Sequence, residues 1–111
     1  MRFKLIVAIV RTNLTDRIVA AAKKAGATGA TLIPARGTGI HEARTFFGLS
    51  LETQRDVVMF LLEEPICQAV LDTVREAGEF HKPGTGIAFL LDLDQVVGLE
   101  SQLPGYREEH C

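Results

Sequence analysis

Six consecutive apolar residues occur twice in this chain, LIVAIV at residues 5–10 and VVMFLL at residues 57–62. Runs this short and this rich in Val and Ile read as strands rather than helices. A strand sends alternate side chains to opposite faces, so a run that never alternates is apolar on both. The sheet these strands enter must therefore be covered on both sides. Helices of the same chain can cover one side; the other needs a second cover, and a partner subunit is the cheapest candidate. An obligate oligomer is expected.

The remaining pattern alternates helices with strands. Asn13 offers an N-cap, with Asp16 three residues on favouring the positive helix end. Ile18, Ala21, Ala22 and Ala25 recur at helical spacing, and Gly26 sits where a C′ glycine belongs. A second strand is expected over about residues 28–35. Residues 40–54 show no clear period and read as a long loop, or a loop with frayed helical character. After the strand at 57–62, Pro65 suits the first turn of a second helix. Its inward face is expected to carry Ile66, Ala69, Val70, Thr73, Val74 and Ala77, and Gly78 ends it. A fourth strand runs from Ile87 to about residue 93. The order βαββαβ is that of an α+β, ferredoxin-like sandwich whose antiparallel sheet has strand order 4-1-3-2. The expectation is one domain over residues 1–103 and a flexible polar tail over 104–111.

Composition removes several classes of function. A chain of 111 residues with a net charge of −2 has no basic stripe for nucleic acid. No apolar run reaches the roughly 18 residues of a membrane span, and Met1-Arg2-Phe3-Lys4 leads directly into a strand rather than a signal peptide, so a cytoplasmic protein is expected. The two cysteines, Cys67 and Cys111, make no disulfide framework, and Cys67 reads as a core filler. No Ser/His/Asp or Cys/His order stands out and no paired carboxylates lie in apolar surroundings, so neither an enzyme nor a catalytic residue is expected. His110-Cys111 supplies two terminal ligands at most, and no metal is expected.

One tetrapeptide appears twice, as Gly37-Thr38-Gly39-Ile40 after the second strand and as Gly84-Thr85-Gly86-Ile87 before the fourth. Glycines at strand ends let the backbone take positive φ and turn bare N–H groups outward, which can cradle an anion or simply make a turn. In the sheet order above both loops fall at one end of the molecule, on opposite outer strands, three strand spacings or roughly 14 Å apart. One extended ligand could touch both.

With Gly26-Ala27-Thr28-Gly29-Ala30-Thr31, the pair Gly37/Gly39, Pro65 and Lys82-Pro83-Gly84-Thr85-Gly86-Ile87-Ala88-Phe89 in place, the chain resembles the P-II signal-transduction proteins over about residues 3–100. The resemblance implies a homotrimer with its sheets packed centrally and an adenine nucleotide (AMP, ADP or ATP) bound between subunits. It implies a T-loop, about residues 38–54, that docks on a transporter or enzyme, and a glycine-rich B-loop, about residues 79–86. Carried over by position, Thr31, Gly37, Gly39, Leu61, Lys82, Gly84, Thr85 and Gly86 match the nucleotide site, and His41, Arg44, Phe46 and Phe47 fall in the effector loop. Ile87 stands where the family places a lysine, Thr85 where it places an aspartate, and Gly98 and Glu100 where it places two arginines. Three missing cations point to AMP, ADP, a cyclic nucleotide or another small anion rather than a triphosphate. The alternative is a trimeric divalent-metal protein of the copper-tolerance kind, or a structural module, on the same fold.

Overall fold

A computed structural model of the chain describes residues 2–35 and 54–99, with the backbone alone at 45–46 and 49–50. Strand β1 (Phe3–Arg11) leads through a 3-10 turn (Thr12–Leu14) into helix α1 (Thr15–Lys24). Strand β2 (Thr31–Ala35) follows, then a short hairpin of β3 (Thr45–Phe46) and β4 (Leu49–Ser50). Strand β5 (Arg55–Glu63), helix α2 (Glu64–Ala77) and strand β6 (Gly86–Asp92) complete the chain. The main sheet has the order β2-β5-β1-β6, and each neighbouring pair is antiparallel. Counting only its four strands in chain order, this is 2-3-1-4, the expected order seen from the other edge. Within residues 40–54 the described backbone is a hairpin, with Thr45 opposite Ser50 and Phe46 opposite Leu49, not a frayed helix.

The long strands pack as their sequences dictate. The even-numbered residues Ile6, Ala8, Val10, Val58, Phe60 and Leu62 are buried against Ile18 and Ala22 of α1 and Cys67, Val70, Val74 and Ala77 of α2. Cys67 is thus a core residue, and burial pushes its thiol pKa up. The odd-numbered residues make three cross-strand rows on the opposite face: Leu61-Leu5-Leu91, Met59-Val7-Phe89 and Val57-Ile9-Ile87. Leu61, Phe89 and Leu91 are 38%, 38% and 43% exposed. The second apolar face is real, and among the described residues neither helix covers it.

Two local expectations need correction. Asn13 does not cap α1, because the chain leaves β1 through a 3-10 turn that contains it; the residue before the helix is Leu14, with no side-chain cap. Thr15 takes over the tethering by donating its hydroxyl to Asp56 Oδ2 at 2.6 Å. In α2 the buried stripe is Cys67, Val70, Val74 and Ala77, while Ala69 is exposed and Thr73 half-buried, its hydroxyl bonded to the Ala69 carbonyl. The stripe is turned so that position 67 leads it. Gly26 takes the expected C′ role at φ +121°.

Candidate functional site

Between α1 and β2 the chain runs through small residues, and their lack of bulk leaves a cavity of about 790 Å³. Thr28, Gly29, Ala30 and Thr31 form one wall; Met59, Leu61 and Glu63 of β5 form another, with Ile66 of α2 and Leu99 completing it. Glu63 alone among the lining residues is charged. A space of this size, walled by aliphatic carbons and two threonines, suits a flat uncharged ring and offers no cation to an anion. A second hollow, of about 570 Å³, lies beside Arg2 and residues 93–97 and contains none of the expected site residues.

The loop from α2 to β6 is closed on itself. Glu79 takes φ +57°, and its carbonyl accepts from the Lys82 N–H at 2.9 Å. The Thr85 hydroxyl, with Thr85 only 1% exposed, lies 2.8 Å from the Glu79 carbonyl and 2.9 Å from that of Lys82. Lys82 Nζ reaches Glu79 Oε1 at 2.8 Å, and Arg17 Nη1 reaches Oε2 at 3.3 Å. The hydrogen bond and charge of Lys82, helped by Arg17 and His81, hold the Glu79 carboxyl below the usual carboxylate range. The two glycines serve different ends. Gly84 takes φ +77° in open space, whereas a Cβ on Gly86 would lie 2.6 Å from the Ile9 carbonyl oxygen and 2.6 Å from Phe80 Cε1.

Behind this loop lies Arg55, the first residue of β5, which is 4% exposed. Its Nη1 donates to the Thr85 carbonyl at 2.7 Å and its Nη2 to the Gly84 carbonyl at 2.8 Å. Its Nε is buried without a partner. Burial, and then the charge of Arg11 opposite, lower its pKa from the ordinary value.

The structure gathers the expected site residues into two groups. Thr31 and Leu61 share the cavity at the β2 edge; Lys82, Gly84, Thr85 and Gly86 form the loop at the β6 edge. One chain does not bring the groups together, since β2 and β6 are the two outer strands. The last residue of β2 and the first of β6 lie at the same end of the sheet: Ala35 is opposite Arg55, Arg55 opposite Arg11, and Gly86 opposite Val10. Gly37, Gly39, His41, Arg44, Phe47 and the side chain of Phe46 lie outside the described residues, as does the tail. Sequence reasoning missed Arg55, Glu79 and the Thr15–Asp56 bond. The one signal on offer was the charged pair Arg55-Asp56 opening an otherwise apolar strand. Among the described residues no group of three His, Cys, Asp or Glu gathers, and the Cys67 thiol donates to the Glu63 carbonyl.

The family model for nitrogen regulatory protein P-II matches residues 3–102, spanning the cavity, both outer strands and the loop between α2 and β6. The chain belongs to the P-II family. No curated protein matches it. As a P-II protein it is a nitrogen-regulatory signalling protein in general, on the sandwich that its strand order builds. Among the described residues of this P-II chain no helix is long and apolar enough to cross a membrane.

Proposed function

We propose that this P-II protein is a cytoplasmic, non-enzymatic homotrimer. In this reading it binds an adenine nucleotide of low charge in each cleft between subunits and signals to a transporter or enzyme through the T-loop. The observation that carries the reading is the division of the site. The cavity at the β2 edge is lined by no cation, the B-loop with its Lys82 sits at the β6 edge, and the apolar face between them is uncovered by the described helices. The cavity shares Met59 and Leu61 with that face, so a subunit packed on the face would also close the cavity. The base then occupies the cavity of one subunit while the B-loop of its neighbour approaches the phosphate. Lys82 can serve because its bond to Glu79 is solvent-exposed, and an exposed pair of this kind is readily exchanged for phosphate.

Sedimentation equilibrium and titration calorimetry with adenosine, AMP, ADP, ATP and cyclic AMP test this reading. Three chains per particle and binding of at least one nucleotide are expected, with Lys82→Met weakening the phosphorylated ligands but not adenosine. A monomer, or a trimer that binds none of the five, refutes it.

A further inference from the structure

Three consecutive residues at the return end of the T-loop are pinned to three different parts of the molecule. The Gln54 carbonyl accepts from the Thr12 hydroxyl at 3.2 Å, in the 3-10 turn. Asp56 accepts from Thr15 at 2.6 Å, at the start of α1. Arg55 alone reaches the B-loop, spending Nη1 and Nη2 on the carbonyls of Thr85 and Gly84. Among the described residues no carboxylate pairs with Arg55, and its Nε has no partner. A buried guanidinium without a counter-ion is costly, and among the described residues the two loop carbonyls are its compensation. The loop cannot withdraw without stranding that charge, and Arg55 cannot withdraw without stranding two carbonyls.

We propose that Arg55 is a positioning residue that couples the return end of the T-loop to the B-loop, so that a displacement of either is felt by the other. Its two-donor fork holds two successive B-loop carbonyls, which fixes the direction of the peptide planes at Gly84 and Thr85. A ligand that reorients the B-loop therefore moves the residue from which the T-loop emerges. The coupling is reciprocal, as any equilibrium coupling must be. Its consequence for signalling rests on the nucleotide reading above; the coupling itself is testable in the free protein.

Amide hydrogen exchange read by mass spectrometry on the ligand-free chain gives the test. Arg55→Met is expected to raise exchange over residues 79–86 by about tenfold or more while the centre of β1 keeps its protection. Arg55→Lys keeps the charge but supplies no rigid fork, so it is expected to leave most of that loss in place. If Arg55→Met fails to fold, Arg55→Lys carries the same reading. Thr85→Val, which removes the hydroxyl staple of the B-loop, is expected to raise exchange at residues 54–56. Wild-type protection over 79–86 in a folded Arg55→Met, full rescue by lysine, or no response at 54–56 to Thr85→Val would each overturn the proposal. Added AMP should protect 54–56 in wild type and fail to do so in Arg55→Lys. If wild type binds no nucleotide, the function reading fails while the ligand-free exchange still decides the coupling.

Discussion

Gly86→Ala separates a glycine required by packing from one kept for a ligand. The added Cβ would lie 2.6 Å from the Ile9 carbonyl oxygen and 2.6 Å from Phe80 Cε1, both well inside van der Waals contact. Phe80 can swing away. Ile9 cannot, because β1 is an inner strand and Ile9 lies opposite Val57 on one side and Ile87 on the other. The start of β6 must withdraw instead, loosening its pairing with Val10 and the Arg55 bond to the adjacent Thr85 carbonyl. Overpacking costs about 1–3 kcal/mol and a weakened hydrogen bond about 1 more, so roughly 3 kcal/mol is expected. For 111 residues, an unfolding entropy of about 2.1 cal/mol/K per residue converts that into a Tm lower by about 13 °C.

The companion variant is Gly84→Ala, where φ is +77° but no atom lies within 4 Å of the new Cβ. Only backbone strain remains, about 1 kcal/mol or about 4 °C. Calorimetric scans of both variants at one protein concentration, without nucleotide, make the comparison. If Gly86→Ala melts within a degree or two of wild type, or if Gly84→Ala is the worse of the two, the close approach of β6 to β1 does not explain the glycine.

Thr15→Val removes the hydroxyl that donates to the Asp56 carboxylate at the base of α1, so it is expected to cost about 1–3 kcal/mol in urea unfolding, with Thr15→Ser nearly neutral. Phe89→Asp places a charge in the middle row of the uncovered face and is expected to yield smaller species in sedimentation velocity without loss of secondary structure. The Glu79 carboxyl has a depressed pKa in the fold, so its contribution to stability is present above the unfolded value of 4.5 and is lost as pH falls through the folded value. Lys82→Met should flatten the unfolding midpoint over that acidic range, and an unchanged pH profile would remove the ion pair from the account. Ile87→Lys restores a cation at the start of β6 and is expected to raise the affinity for ATP relative to AMP, read by calorimetry, while weakening the assembly.

Much of the fold was legible because its signals are local. Unbroken apolar runs gave β1 and β5, and glycines marked where both helices stop. The boundaries that slipped were set by tertiary contact. Residues 55 and 56 look like a solvated strand end, yet Arg55 is buried under the B-loop and Asp56 is tied to α1. Asn13 has the right chemistry for a cap, but the path out of β1 spends it inside a 3-10 turn. In the candidate site, Thr31 was placed by the family resemblance alone, and in the structure it lines a cavity at the β2 edge. Thr85 was legible as part of the loop but not in its role, since its hydroxyl is turned inward to two carbonyls. A sequence shows which groups are available, not which of them the fold has already used.

That distinction bears most on the second glycine loop. Its glycines, threonine and lysine all look like anion-binding material, yet Gly86 is accounted for by Ile9, Thr85 by the Glu79 and Lys82 carbonyls, and Lys82 by Glu79. Of these only the Lys82 pair is exposed and cheap to exchange. Ile87, where the family resemblance leads one to expect a lysine, instead completes the apolar row Val57-Ile9-Ile87. At that position the chain carries apolar area on its uncovered face rather than a cation. A loop with one releasable cation matches a ligand of low charge, and a wider apolar face favours an assembly that does not depend on the ligand's phosphates to hold it together. Both effects come from one side chain: Ile87 brings no charge to the strand start and adds apolar area to the face that a partner subunit would cover.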